Sequence, residues 1–395
     1  MSLQTTVSAE RFHIGFFGRR NAGKSSLVNR ITGQDISVVS GIPGTTTDPV
    51  AKAMELLPLG PVVLIDTPGF DDDGTLGELR VRKTRQTLNR IDAAVLVTDC
   101  NTGIGPYEQE LLILFKDKKI PFLLVYNKID LFPEHLIPAG NLAVSAKTGA
   151  GIWELKEALA HIAEKETKPK HLVGDLLHPE DTVILVTPID SAAPRGRIIL
   201  PQQQTLRDIL DSGGIALVTK ENTLVQTLSG LKRPPAMVIT DSQVFGIVNQ
   251  IIPNSIPLTS FSILMARYKG FLETAVQGVK AIAQLSNHDN VLIAEGCSHH
   301  RQCEDIGTVK LPRWLLEYTG KELCIRTCSG HDFPEDLSSF QLIIHCGGCM
   351  LTEREVRFRM KCAEDQGIPF TNYGTAIAHF HGILERSLSV FPHLR

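Results

Sequence analysis

The sequence predicts an α/β protein built on parallel sheets. Short β-branched or apolar runs alternate with longer amphipathic runs from one end of the chain to the other. A glycine-rich loop, GRRNAGKS, stands directly between one such short run and a helical pattern. At 395 residues, 43% hydrophobic and 21% charged, the chain can bury sizeable cores and is longer than one core organises, so it should divide into domains.

In order, HIGFFG, PVVLID, AAVLVT, PFLLVY and NLAVS read as the strands of a first parallel sheet with helices between them. The polar, proline-containing stretch Lys165 to Lys170, KETKPK, ends the last of those helices and reads as a linker. A second series has DTVILVTP, GIALVT, PAMVIT and SIPLTS as strands, with QTLRDILD, ENTLVQTLSG and SQVFGIVNQ as helices. No phosphate loop, paired acid or metal spacing occurs in it, so it reads as a small α/β scaffold or subunit-contact domain. One long amphipathic stretch, Phe261 to Leu285, leads into a third series of strands, NVLIAEG, ELCIRTC, FQLIIHC and IPFTNY. Three α/β domains are therefore expected, over residues 1–167, 171–260 and 261–395.

Charge narrows the partners. The net charge is -3, and residues 171–395 hold 20 Lys and Arg against 23 Asp and Glu, so no domain has the basic excess that binding a phosphate backbone requires. Nucleic acid is not an expected partner. The amino terminus lacks the succession of a signal peptide, and no run reaches the roughly eighteen consecutive apolar residues of a membrane span. A cytoplasmic protein without membrane attachment is expected. In that reducing compartment the 8 cysteines are candidates for metal ligation or thiol chemistry rather than disulfides.

Gly18 to Ser25 fits G-x-x-x-x-G-K-[ST] after a strand and before a helix. Glycines let successive N–H groups turn to phosphate oxygens, Lys24 reaches the β- and γ-phosphates, and Ser25 ligates magnesium. Gly18, Asn21, Ala22, Gly23, Lys24, Ser25 and Ser26 form the candidate cradle. Asp66, in DTPG at the end of PVVLID, can hold magnesium through water, and Gly69 can offer its N–H to the γ-phosphate. Asn127, Lys128 and Asp130 form NKID after another strand; the Asp130 carboxylate accepts two N–H bonds from guanine that adenine cannot offer. Ser145, Ala146 and Lys147 complete the purine pocket, so GTP is the expected nucleotide. Between these motifs, Thr46 in PGTTTD is the candidate switch threonine on magnesium. Lys24, Thr46, Asp66 and Gly69 are the candidate catalytic set.

This order of motifs, over residues 10 to 165, resembles the GTPase family of the bacterial tRNA-modification enzyme MnmE and of Era. The resemblance implies slow GTP hydrolysis stimulated by potassium, with Asn21 at the position through which MnmE-like GTPases bind that cation. Phe70 stands where small regulatory GTPases carry a water-orienting glutamine, so the charge of a potassium ion would stand in for an arginine finger. Thr47 departs from the arginine that usually ends the threonine-rich segment.

Near the carboxyl end, Cys297 and His299 follow NVLIAEG, while His345, Cys346 and Cys349 belong to the segment that follows FQLII. Two strand ends of one parallel sheet can bring such groups together at its carboxyl edge. The spacing suits structural zinc, as Cys2His2 or Cys3His, and equally a 4Fe-4S cluster with one exchangeable iron. Cys324 and Cys328 share one face of a strand and read as core; Cys100, Cys303 and Cys362 have nothing that fixes them to a metal.

A C-x-H plus H-C-x-x-C pattern joined to an MnmE-like GTPase resembles the HydF family, the maturation GTPases of FeFe-hydrogenases. The resemblance spans the chain and implies a dimerising middle domain. It implies Cys297, Cys346 and Cys349 on a 4Fe-4S cluster, with His299 or His345 as a weak fourth ligand. It also implies a scaffold or carrier that passes a di-iron precursor to the hydrogenase apoprotein, with radical-SAM maturases as further partners and a homodimer or higher oligomer as the assembly. The alternative is a tRNA-modification or ribosome-associated GTPase with a structural zinc module.

Overall fold

The computed structural model describes residues 8–33, 49–68, 84, 86–132, 137–138, 140–166, 170–189, 198–296, 305–330 and 332–391. The chain forms two compact units, Met1–Pro169 and Lys170–Arg395.

The first unit runs Phe12–Phe17 (β1), Lys24–Thr32 (α1), Val50–Leu56 (β2), Gly60–Asp66 (β3), Ala93–Asp99 (β4), Pro106–Asp117 (α2), Phe122–Asn127 (β5), Leu142–Ala143 (β6) and Ile152–Glu166 (α3). Its sheet has the order β2-β3-β1-β4-β5-β6. Every pairing is parallel except β2 with β3. β4 is buried from Ala93 to Thr98 because helices cover both faces of the sheet, the condition under which a strand reads as one apolar run. Ile14 and Phe16 pack with Leu27, Ile31 and Leu155 on one face, and Phe17 packs with Leu111 and Phe115 on the other. The antiparallel edge strand β2 was not among the expected strands. Its sequence VAKAMEL carries Ala, Lys and Glu on a mostly exposed edge, where the apolar signal is weakest.

The second unit holds two four-stranded sheets. Thr182–Val186 (β7), Leu200–Asp211 (α4), Ile215–Thr219 (β8), Leu224–Ser229 (α5), Met237–Thr240 (β9), Phe245–Ile251 (α6) and Leu258–Ser260 (β10) form the first, in the order β10-β9-β7-β8. Phe261–Tyr268 (α7) and Leu272–Gly278 (α8) lead to Asn290–Ala294 (β11), Leu311–Thr319 (α9), Cys324–Cys328 (β12), Leu342–His345 (β13), Glu353–Asp365 (α10), Phe370–Asn372 (β14), Tyr373–Phe380 (α11) and Leu384–Leu388 (α12). The second sheet has the order β12-β11-β13-β14. All strands in both sheets are parallel.

One continuous core runs through both sheets of this unit, from Leu172 to Phe391. The stretch expected as one long amphipathic element is broken: Gly270 takes φ +74° between α7 and α8, a conformation that ends a helix. Cys324 lies exposed on the edge strand β12 rather than in the core, while Cys328 is half-buried and packs against it. Among the described residues, no helix is long and apolar enough to cross a membrane.

Candidate functional site

β1 delivers the chain into the phosphate loop at a point where only glycine fits. A Cβ on Gly18 would lie 2.1 Å from the Val97 carbonyl oxygen, and one on Gly23 would lie 2.2 Å from Asn127 Nδ2. Gly18, Asn21 and Gly23 all take positive φ, the turn that points successive N–H groups inward. Lys24 Nζ folds over this loop, donating to the carbonyl oxygens of Gly18 at 2.8 Å and Arg19 at 2.7 Å. Those carbonyls hold the ammonium at the cradle where phosphate oxygens would compete for it. Ser26, in the first turn of α1, is exposed.

Ser25 Oγ donates to Asp66 Oδ2 at 2.5 Å. The other carboxylate oxygen, Oδ1, is buried without a hydrogen-bond partner among the described residues. Burial pushes the Asp66 carboxyl up, against the Ser25 hydroxyl and the Lys24 charge, which pull it down. A hydroxyl and a carboxylate oxygen that lacks a donor, beside a phosphate cradle, fit a hard divalent cation such as magnesium. Thr46 and Gly69 lie outside the described residues.

The base side is already organised. Asn127 is buried and ties two loops together: its Nδ2 donates to the Ala22 carbonyl oxygen at 3.0 Å, and its Oδ1 accepts the Ala146 N–H at 3.0 Å. Ser145 Oγ donates to Asp130 Oδ1 at 2.6 Å and also accepts the Thr148 N–H at 3.1 Å, which orients the carboxylate expected to read guanine. Lys128 Nζ bonds Asp99 Oδ2 at 2.7 Å, and Lys147 is exposed. Asp99 sits below the usual carboxylate range: burial opposes ionisation, but the hydrogen bonds from Lys128 and the Asn101 N–H, with the Lys128 charge, outweigh it. Asp99 belongs to no motif in the sequence and was not foreseen.

At the carboxyl edge of the second sheet of the other unit, the turns after β11 and β13 meet. Cys346 N–H donates to the Ala294 carbonyl oxygen at 2.9 Å. Cys346 Sγ accepts the N–H groups of Gly296 at 3.1 Å and Gly348 at 3.3 Å. Gly348 has φ +68°, which folds the loop so that its N–H faces that sulfur. Burial pushes the Cys346 thiol up and raises Cys349 to about 12, so ionising either sulfur needs a cation. Cys328 is likewise raised to about 11, by burial and by the nearby Cys346.

His345 is fully buried, with Nδ1 against the Cys346 carbonyl oxygen at 2.7 Å and Nε2 against Arg359 Nη1 at 3.3 Å. Burial and the Arg359 charge depress it to about 3, so it is neutral, and its Nδ1–H donates to Cys346. Arg359 also bonds the Gly330 carbonyl oxygen and Glu355 Oε1, the latter at 2.7 Å. From another side, buried Lys269 donates to the Leu351 carbonyl oxygen at 2.8 Å. Tyr373 Oη donates to Glu295 Oε1 at 3.2 Å, in a space that exists because residue 307 is glycine. Neither cation nor this pair has a motif that sequence reading could have used.

Cys297 and His299 lie outside the described residues, and among the described residues no three His, Cys, Asp or Glu side chains form a metal site. The described part nevertheless suits a thiolate-bound centre: N–H groups aimed at a buried sulfur stabilise its anion.

Three family models match the chain: 50S ribosome-binding GTPase over residues 13–128, Hydrogen maturase F dimerization domain over 172–270 and Hydrogen maturase F tetramerization domain over 273–390. Among relatives, the tRNA modification GTPase MnmE of Nitrosospira multiformis is 32% identical over 164 residues, 40% of this chain and 36% of that protein. The GTPase Era of Carboxydothermus hydrogenoformans is 32% identical over 187 residues, 43% of this chain and 61% of that one. The chain thus spans little more than a third of the MnmE length and under two thirds of Era. A solved structure of Aquifex aeolicus Era bound to GDP and aluminium fluoride is 19% identical, covers 53% of this chain and 93% of that chain, and has a TM-score of 0.34. The two hydrogen maturase F models together take in more than half of the residues and lie carboxyl-terminal to the GTPase match. The chain therefore belongs to the HydF family, with a P-loop GTPase domain followed by the family's dimerization and tetramerization domains.

Proposed function

We propose that this chain is a potassium-stimulated GTP hydrolase joined to a 4Fe-4S scaffold, and that it assembles and delivers the di-iron subcluster of FeFe-hydrogenase. The observation that carries the scaffold half is the pair of N–H groups, from Gly296 and Gly348, on the sulfur of Cys346. Those donors come from both strand ends that bear the sequence's cysteine pattern, and they favour an anionic sulfur where burial alone would oppose it.

In this reading residues 1–167 bind GTP, 171–260 dimerise and 261–395 carry the cluster. Lys24 meets the β- and γ-phosphates, while Ser25, Thr46 and Asp66 hold magnesium. The Gly69 N–H meets the γ-phosphate, Asn21 holds potassium, and Asn127, Lys128 and Asp130 read guanine, backed by Ser145, Ala146 and Lys147. Cys297, Cys346 and Cys349 hold the cluster, and His299 takes the fourth position. His345 is assigned a positioning role, since both its ring nitrogens are engaged. The cluster, when bound, supplies an iron with a replaceable ligand. The protein's own part is to hold the sulfurs charged and to limit water around them. The hydrogenase apoprotein and radical-SAM maturases are the proposed partners, in the cytoplasm, of a homodimer or larger assembly.

Anaerobic reconstitution of the full chain with iron and sulfide tests this. About four irons and four sulfides per chain are expected for the native protein, and a large loss of both for Cys349→Ser. Stoichiometric zinc, or no retained metal, would overturn the scaffold reading while leaving the GTPase domain untouched.

A further inference from the structure

Glu108, in the first turn of α2, is 1% exposed, and a carboxylate so buried needs compensation. Two groups supply it: the Gly105 N–H at 2.9 Å and the Arg19 guanidinium Nη2 at 2.9 Å. Arg19 belongs to the phosphate loop, and its carbonyl oxygen is the one that takes Lys24 Nζ at 2.7 Å. Its side chain therefore grips α2 while its backbone shapes the cradle. The guanidinium also lies 5.7 Å from the Tyr107 ring centre.

The same connection, from the end of β4 to the start of α2, reaches the base side. Asp99 opens it and bonds Lys128 at 2.7 Å. It is tied to itself on the way: the Gly103 N–H donates to the Asp99 carbonyl oxygen at 2.9 Å, and Thr98 Oγ1 donates to the Gly103 carbonyl oxygen at 2.6 Å. Gly105 is what lets the far end close. Its backbone is extended, φ -112° and ψ -169°, which any residue adopts, yet a Cβ there would stand 1.5 Å from Arg19 Nη2.

We propose that the Arg19–Glu108 ion pair is a positioning element of the GTP site, holding the phosphate loop to α2 and, through Asp99 and Lys128, keeping the phosphate and guanine halves in one frame. Arg19 acts through the loop backbone and not on the reacting phosphate. Its loss therefore removes binding shared by GTP and GDP rather than stabilisation of the transition state.

The test uses the full chain with Arg19→Ala, Glu108→Gln, Gly105→Ala and Arg19→Lys. Read-outs are affinity for a fluorescent GDP analogue and the KM and kcat of GTP hydrolysis. Losing a charge-assisted bond should weaken GDP binding and raise KM about tenfold, with kcat lowered by less than about threefold. Gly105→Ala should reproduce this with both charges retained, Arg19→Lys should recover part of the loss, and Arg19→Ala with Glu108→Gln should be no worse than the poorer single variant. Glu108→Gln could unfold the domain, but Gly105→Ala changes no buried charge and keeps the test decisive. GDP affinity unchanged in both Gly105→Ala and Arg19→Ala would overturn the proposal. So would a collapse of kcat at unchanged affinity, which would make Arg19 a catalytic residue.

Discussion

Cys346 Sγ accepts the Gly296 N–H at 3.1 Å, so the turn after β11 is bonded to the turn after β13 through a sulfur atom. Gly296 immediately precedes Cys297 in the sequence. The ends of β11 and β13, which precede the C-x-H segment and open the H-C-x-x-C segment in the sequence, thereby meet at one sheet edge.

Arg359 supports this edge from beneath. It is 1% exposed and paired with Glu355, which is also buried. Replacing Arg359 with methionine leaves the Glu355 carboxylate in the interior without this arginine, at an expected cost of ~3–5 kcal/mol. The double replacement Arg359→Met, Glu355→Met should recover much of that. Trp153→Phe leaves Trp314 as the one tryptophan of the 2 in the chain, so urea unfolding followed by its fluorescence reports the second unit. Equal losses in the single and double variants would contradict the ion-pair account.

Acid should act on the same network. His345 has a folded pKa of about 3 against an ordinary value of 6.5, so the unfolded chain binds its proton first as pH falls. The stability this neutral ring contributes is fully present above pH 6.5 and drains away as pH falls through that window towards 3, by up to about 1.4 kcal/mol per unit. In the Trp153→Phe background, His345→Gln should flatten the pH dependence of unfolding between those limits. Matching acid profiles for the two proteins would contradict it.

The potassium proposal has a clean variant. Asn21 takes φ +62°, which alanine would resist and glycine adopts freely. Asn21→Gly should keep GDP affinity within about threefold while abolishing the difference in hydrolysis rate between potassium and sodium buffers. A variant that still distinguishes the two ions would remove Asn21 from the cation site.

Self-association should use β8. It is an edge strand of its sheet, and it leaves Ile215 and Val218 48% and 47% exposed within the segment matching the dimerization domain. An unpaired, apolar edge invites a second copy, and a lysine there discourages pairing. Val218→Lys should shift the assembly towards smaller species in light scattering, with the fold intact by circular dichroism. An unchanged mass would place the dimer contact elsewhere.

What the sequence made legible were motifs carried by neighbours in the chain. The phosphate loop, NKID and the H-C-x-x-C segment each concentrate several chemical groups within a few residues, and the fold places their described members at strand ends. Contacts between distant single residues left no such trace. Arg19 with Glu108, Asp99 with Lys128 and His345 with Arg359 look like ordinary charged or buried positions until the chain is folded. Apolar periodicity also hid the break at Gly270, because both α7 and α8 bury a face against the same core. Cys324 misled for a related reason: alternation places it on one face with Cys328 but cannot say that the strand lies at an edge.

The central claim, that Cys346 is a ligand of an iron–sulfur cluster, is tested most directly by electron paramagnetic resonance of the anaerobically reconstituted, dithionite-reduced protein. The native chain should give the signal of a reduced 4Fe-4S cluster, and Cys346→Ser, equally folded and still binding GTP, should lose or markedly alter it. An identical signal at equal intensity from Cys346→Ser would contradict the account.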